Sequence, residues 1–487
     1  MYPPSIARDR PDALAYVMAA SGASLTYREL DRRSNRLAHF WRANGVQPGD
    51  AVVIAMENNL AWPVVVAAGM RSGLYVTPVN WHLNAAELAI LMTEARPAVV
   101  VTSTALAPTV VGAADALILC VGESSEGCVS FEEALATMPT TPISGELLGA
   151  RVLYSGGTTG RPKRFAQKLL GVHPADAPRR HSELSERLGI GPDTVLLSPA
   201  PNYHAAPFTF GLIVLAAGGT IVCMEKFDAA AAMAAIVDHG VTHSQWVPTM
   251  LVRLLRMRGR ESVALSPTHR VAFTSGAPCP VSVKTDIAEW WGPILHEYYG
   301  ASEGYGHTYI APDEARAHPG SVGKPLGSTR IRVVDEDGRD VAAGVEGTVC
   351  FEAGGSLKQM GDIGYVDADG FLYLVGRRGF MIISGGVNIY PEEVEEALLS
   401  HPAVADVGVI GIPDAEFGES VRAVVELRPG VEADSASVIA HAREHLAHYK
   451  APRSVVFTTD LPRLPTGKLD KRGLVNRFGQ PTGNGEK

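Results

Sequence analysis

What most constrains this chain is a recurring pair: a stretch of helical period, then a short unbroken apolar run. Near the start, Leu30, Leu37, Ala38 and Trp41 fall on one face of a stretch rich in Arg and Asp, with Thr26 placed to cap its first turn. A Gln47-Pro48-Gly49-Asp50 turn leads into Ala51 to Ala55, AVVIA, the kind of run buried on both faces inside a parallel sheet. Similar runs at Ala98 to Thr102, Ala116 to Val121, Thr194 to Leu197, Thr220 to Cys223 and Arg270 to Thr274 alternate with helical stretches such as Ala229 to His239 and Thr249 to Met257. That alternation specifies a layered α/β architecture.

After about residue 320 the texture changes to strands and tight turns. Thr329 to Asp335, Gly347 to Glu352 and Gly370 to Val375 read as strands punctuated by Asp-Gly pairs. A smaller unit then begins, with Pro391 in the first turn of a helix, Glu392 and Glu393 favouring its N-terminal dipole, and Val394, Ala397 and Leu398 on one face. Val404 to Ile410 follows as a strand. At 487 residues the chain exceeds the roughly 250 to 300 residues at which one core stops growing. We therefore expect an α/β protein with two domains: a large layered N-terminal domain over 1–378 that includes a β-rich subdomain, and a small, mobile α+β domain over 379–487. The polar, Gly-rich end from Gly479 to Lys487 reads as disordered.

A formal net charge of -9 excludes non-specific nucleic-acid binding, which needs a basic surface to displace phosphate counterions, so any phosphate site must be local. The five cysteines, Cys120, Cys128, Cys223, Cys279 and Cys350, are scattered without C-x-x-C spacing, as in a reducing cytosol. No basic stretch followed by an apolar run opens the sequence, and no segment reaches the roughly 18 apolar residues of a membrane span. A cytoplasmic protein, monomeric or homodimeric, is expected.

One loop carries the first chemistry. Tyr154-Ser155-Gly156-Gly157-Thr158-Thr159-Gly160-Arg161-Pro162-Lys163 follows the apolar Val152-Leu153. Glycines let the backbone approach a polyphosphate, successive amide groups form an anion nest, hydroxyls donate to phosphate oxygens, and lysine adds a point charge. It is not a Walker A loop, because no Gly-Lys-Ser/Thr triplet stands at the required offset. A flexible polar linker is the plain alternative, but a linker needs neither a Thr-Thr pair nor a Pro-fixed lysine after a strand.

This stretch resembles the phosphate loop of the adenylate-forming superfamily of acyl-CoA synthetases, peptide-synthetase adenylation domains and luciferases. Further segments stand in that family's order: Tyr298-Tyr299-Gly300-Ala301-Ser302-Glu303, Gly361-Asp362-Ile363-Gly364-Tyr365, Gly376-Arg377 through Gly385-Gly386-Val387-Asn388-Ile389-Tyr390-Pro391, Tyr449-Lys450-Ala451-Pro452-Arg453, and Pro465-Thr466-Gly467-Lys468. The resemblance covers essentially the whole chain. It implies ATP, Mg²⁺ and coenzyme A as cofactors. By the same resemblance Ser155, Gly156, Gly157, Thr158, Thr159, Gly160 and Lys163 cradle the phosphates, Tyr298 to Ala301 line the nucleotide, and Tyr299 stacks on adenine. Ser302 contacts phosphate, Glu303 holds the metal, Asp362 and Arg377 take the ribose, and Lys468 bridges carboxylate and phosphate during adenylation. The chemistry suits those roles: a carboxylate is a hard ligand for Mg²⁺, and a lysine offsets repulsion between two anions. The family's small domain rotates between half-reactions, which places a hinge near Arg378-Gly379 and Gly385-Gly386 beside the thiol channel.

Three positions depart from the common pattern: Gly156 where serine is usual, Arg164 where glycine follows the lysine, and Gly379-Phe380 where a charged pair is usual. The last resembles a branch of fatty-acid and steroid-acid CoA ligases. Analogy places His204, Trp246, Val247, Gly276 and Gly300 at the acyl pocket, with Ser275, Gly276, Ala277 and Pro278 beside the nucleotide. No Asp stands in these segments to pair with an α-amino group, which favours an apolar acid. The reading is thus an AMP-forming acid-thiol ligase: an acyl-adenylate forms with release of pyrophosphate, then CoA accepts the acyl group. An amide ligase passing the adenylate to an amine, transfer to a carrier-protein thiol, and a catalytically retired nucleotide-binding protein are the rivals.

Overall fold

The computed structural model describes residues 2–480 apart from 84, 124, 156–162, 178–181, 264–265, 278, 301–303, 354, 378, 385–386, 415–416, 447 and 465–466. Two compact units divide the chain: Met1–Trp246 with Met257–Ala272, and Val247–Arg256 with Phe273–Lys487.

The first unit is built on parallel strands, as the apolar runs require. A seven-stranded sheet runs Val129–Ser130, Leu117–Val121, Val99–Ser103, Ala51–Ala55, Tyr75–Pro78, Ala150–Ser155 and Lys163–Ala166 in spatial order, all parallel except the last pair. In a second sheet of this unit, Val195–Ser198 lies between Thr220–Cys223 and His243–Trp246, and Leu14–Met18 pairs in parallel with Thr220–Cys223. The strands expected at 51–55 and 220–223 are observed as such, those expected at 116–121 and 270–274 begin one residue later, and those expected at 98–102 and 194–197 are shifted one residue along the chain. The helix expected over 249–257 is observed as Pro248–Leu255, because Pro248 supplies its first turn.

The first amphipathic helix, Tyr27–Ala43, begins as its sequence dictates. Thr26 Oγ1 accepts from the Glu29 amide at 3.2 Å, and Glu29 Oε2 accepts from the Thr26 amide at 2.8 Å, closing a reciprocal cap. Leu30, Leu37, Ala38 and Trp41 are all buried, and the helix packs on Ala61–Arg71, whose every residue is buried. That second helix ends on a buried charge. Arg71 Nη2 lies 2.9 Å from Asp31 Oδ1 and Arg71 Nε 2.9 Å from Glu146 Oε1, while Tyr2 donates its phenol to Glu146 and His173 Nε2 sits 3.2 Å from the same carboxylate. Burial pushes the Asp31 carboxyl above its ordinary range, and Arg71 opposes that shift.

In the second unit, Ile331–Val334, Gly347–Ala353, Ser356–Val366 and Leu372–Arg377 form a four-stranded antiparallel sheet in chain order. The Asp-Gly turn between the last two is fixed by Asp367, whose Oδ1 accepts from the Asp369 and Phe371 amides at 3.0 and 2.8 Å. Further along, Val387–Ile389, Ile382–Ser384, Gly418–Leu427 and Val404–Asp414 pair antiparallel, and Ser454–Phe457 joins Gly418–Leu427 in parallel. Helices Pro391–Leu399 and Ser435–His445 cover this sheet through a core of Val394, Leu398, Val407, Val409, Val438 and Ala442. Pro391 stands at the start of its helix with Glu392 and Glu393 in the first turn, as expected, and Ala397 is half-buried where Val394 and Leu398 are buried.

Replacing Arg71 by methionine leaves the buried Glu146 and the half-buried Asp31 without their cation. A loss of about 3 to 5 kcal/mol is expected. It should appear as a lower urea midpoint for Arg71→Met, and an unchanged midpoint would show that the network is inert.

Candidate active site

The glycine-rich loop hangs from an antiparallel hairpin. Strands Ala150–Ser155 and Lys163–Ala166 pair with Ser155 opposite Lys163 and Tyr154 opposite Arg164, so the chain leaves and returns at one paired position. Lys163 opens the return strand. Residues Gly156, Gly157, Thr158, Thr159 and Gly160 lie outside the described residues. Arg164 has a structural explanation: its guanidinium sits 5.4 Å from the Tyr75 ring centroid, on the strand next to its hairpin.

In the second unit two residues far apart in sequence meet. Tyr299, on strand Leu295–Gly300, donates its phenol to Asp362 Oδ2 at 2.6 Å. Asp362 is only 5% exposed, and its register partner across the antiparallel ladder is Arg377. A buried carboxylate needs donors, and a phenol held at this distance also fixes the plane of the tyrosine ring. Alternation along the strand sends Tyr298 elsewhere: it is buried, its ring 6.0 Å from that of His307, whereas Tyr299 packs 5.9 Å from Phe351. Gly300 closes the strand. Ala301, Ser302 and Glu303 lie outside the described residues, as do Pro278, Gly385 and Gly386.

The second meeting is between Ser275-Gly276 and Lys468. Gly276 has φ +88°, and a Cβ built there would lie 3.5 Å from Lys468 Cε and 3.6 Å from Nζ. Ser275 beside it is buried, and Ala277 is half-buried. The turn that presents the lysine is tied down from several directions. Gly467 donates to the Leu464 carbonyl at 2.8 Å, Leu464 donates to the Lys468 carbonyl at 2.8 Å, and Arg463 Nη1 donates to the Gly467 carbonyl at 2.7 Å. Arg463 Nη2 also pairs with Asp406. Thr249 Oγ1, on helix Pro248–Leu255, lies 3.0 Å from where a Gly467 Cβ would be. Arg463 and Thr249 are invisible to a motif search, because their importance lies in contacts across dozens to hundreds of residues. An arginine two residues before Pro465 is the one signal the sequence offered.

Of the residues assigned to the acyl pocket, His204 stands at the position just before helix Ala205–Ala217 in the first unit, without a capping side-chain hydrogen bond, its ring 4.1 Å from that of Tyr203. Trp246 is 1% exposed and donates Nε1 to Ser244 Oγ at 2.6 Å, which gives it the surroundings of a core residue. Val247 belongs to the second unit, where it precedes helix Pro248–Leu255.

Comparison with known proteins gives this geometry a family. A model described as AMP-binding enzyme matches residues 5–358, and one described as AMP-binding enzyme C-terminal domain matches residues 393–468. The chain belongs to the AMP-binding enzyme family. It is 32% identical to a feruloyl-CoA synthase of an Amycolatopsis species, over 98% of each chain. It is 28% identical to the long-chain-fatty-acid–CoA ligase FadD13 of Mycobacterium tuberculosis (strain CDC 1551 / Oshkosh), over 96% of each. Among solved structures, ATP-bound MatB from Rhodopseudomonas palustris aligns with a TM-score of 0.84 at 28% identity, covering 98% of this chain and 99% of that one. The fold is therefore the expected mixed α/β arrangement of a large N-terminal and a small C-terminal domain.

Tyr299→Phe keeps the ring and removes one donor from the buried Asp362 carboxylate. A destabilisation of about 1 to 3 kcal/mol is expected, read by chemical denaturation; a neutral substitution would mean the pair is incidental.

Proposed function

We propose that this AMP-binding enzyme is an acid–CoA ligase for an apolar carboxylic acid. A carboxylate oxygen attacks the α-phosphorus of ATP, forming an acyl-adenylate and expelling pyrophosphate. The CoA thiol then attacks the acyl carbonyl, gives up its proton, forms the thioester and releases AMP. The juxtaposition of Lys468 with Gly276 carries this reading. A lysine amine beside a backbone without a side chain can reach two anions at once, and repulsion between carboxylate and phosphate is what adenylation must overcome.

The other assignments follow. Tyr299 stacks on adenine with its ring plane fixed through Asp362, and Asp362 with Arg377 takes the ribose hydroxyls. Ser155, Lys163 and the loop between them hold the polyphosphate. Glu303, with Ser302 next to it at the phosphate, would hold Mg²⁺; a carboxylate is the hard oxygen donor that ion prefers, and the ion when bound shields the charge of ATP. The domain boundary at 378/379 separates a large domain from a lid that carries Lys468, and Gly385 and Gly386 border the thiol path. Helix Ala205–Ala217 supports an apolar acid, since Thr209 is its single polar side chain and already donates to the Ala205 carbonyl at 2.6 Å. Among the described residues, no helix is long and apolar enough to cross a membrane.

Acid-dependent exchange of labelled pyrophosphate into ATP, across a panel of fatty, aryl, alicyclic and steroid acids, tests the first step and identifies the acid class. Mass spectrometry of products with CoA and with free amines tests the second; an amide without a thioester would reverse the choice of acceptor. Lys468→Ala should slow exchange by roughly a hundredfold or more. Gly276→Val, which fills the space beside the amine, should depress the same rate. Full exchange in Lys468→Ala would remove the lysine from the reaction.

A further inference from the structure

Helix Ser435–His445 ends in His441-Ala442-Arg443-Glu444-His445, a segment the ligase reaction leaves unused. Residues three and four apart share a helix face, so His441, Glu444 and His445 stand together on its last turn. One ligand atom from each lies within 4.8 Å of the others. The H-x-x-E-H spacing is one that metalloenzymes use to present two imidazoles from a helix.

The hydrogen bonds around the two rings favour metal binding. His445 Nδ1 lies 2.8 Å from the His441 carbonyl oxygen and must donate to it, which leaves the lone pair on Nε2. Ser400 donates its hydroxyl to the Ala397 carbonyl at 2.6 Å, so toward His441 Nε2, 2.8 Å away, it accepts. His441 is thereby left with its lone pair on Nδ1. A ring nitrogen donating to a backbone or hydroxyl oxygen while the other stays bare is how zinc-binding histidines are oriented. His401 packs edge-on to His441 with centroids 5.0 Å apart, but its Nδ1 already accepts from the Ala403 amide at 3.1 Å. It is a buttress for the site. The three donors also sit at the C-terminal end of the helix, where the partial negative charge of the last carbonyls favours a cation.

We propose that His441, Glu444 and His445 form a binding site for a divalent transition-metal ion of the zinc class, with water completing the coordination. Two imidazoles and a carboxylate suit zinc, nickel or cobalt and disfavour magnesium. Because His441 also holds Ser400, an ion there would fasten the end of helix Ser435–His445 to the turn after helix Pro391–Leu399. The site is separate from the proposed adenylation residues and requires neither ATP nor acid.

The test uses the full-length enzyme without a histidine tag. Zn²⁺ is titrated against a chromophoric chelator, and Co²⁺ is followed by its visible d–d absorption. One ion per chain is expected, with at least a tenfold loss of affinity in His441→Ala and in His445→Ala, a smaller loss in Glu444→Gln, and a chelator-reversible rise in Tm for the wild type. Glu444 and His445 are exposed and His441 is half-buried, so the variants should fold, and circular dichroism with pyrophosphate exchange verifies it. Unchanged stoichiometry and affinity in His441→Ala/His445→Ala, or no Zn²⁺ binding by the wild type at micromolar concentrations, would overturn the proposal while leaving the ligase reading intact. Loss of exchange activity with metal binding retained would do the reverse.

Discussion

The turn that carries Lys468 depends on one arginine. Arg463 spans from the Gly467 carbonyl to Asp406, tying the turn to strand Val404–Asp414 in addition to the turn's own short hydrogen bonds and the contact with Thr249. Burial, with Arg253 and Arg256 nearby, lowers its guanidinium to about 10, which still leaves it charged at neutral pH. The lysine is thus presented from a setting rich in positive charge. On the proposed role of Lys468 in joining a carboxylate to a polyphosphate, such a setting would attract both reactants and stabilise the charge that builds between them. A surface lysine at the same sequence position would offer neither the field nor the fixed geometry.

Asp362 works by the opposite logic. A carboxylate 5% exposed is costly unless donors surround it, and the phenol of Tyr299 supplies one of them. The cost of burying the acid is therefore offset by an interaction that also orients an aromatic ring. Stability and site geometry share a single hydrogen bond. Sheet alternation explains why Tyr299 and not Tyr298 makes it, since adjacent strand residues face opposite ways.

Local signals were legible in the sequence, and contacts across the chain were not. Thr26 and Glu29 stand three residues apart, so their reciprocal cap could be read directly, and AVVIA or the Asp367-Gly370 turn depend on neighbours in the same way. The pairing of Tyr299 with Asp362 spans 63 residues, and no periodicity predicts it. The motif order pointed to both residues without showing that they touch. Arg164 marks the limit from the other side. Beside the phosphate loop it stood as a departure with no reason in the sequence, and its ring contact is with Tyr75, on a strand whose adjacency appears only once the parallel sheet is assembled.

Gly379 shows how a position can lack a local reason for its residue. Nothing lies within 4 Å of a Cβ built there, and its φ is outside the left-handed range, so neither space nor backbone demands glycine in this conformation. Gly376, three residues earlier, is the contrast: a Cβ there would lie 2.6 Å from Tyr390 Cδ1 and 3.0 Å from Glu392 Oε2. The second glycine is needed for the structure described, whereas the first is of use where the chain must turn through other conformations. If the proposed lid turns at 378–379, the contacts it must exchange are specific. Tyr390 and Glu392 press on Gly376, and Glu396 accepts from the Val281 amide at 3.3 Å. On the proposal that a lid turns at this boundary, with no charged pair there, the balance between orientations falls to contacts such as these, and a ligand can shift it only by favouring one set over the other.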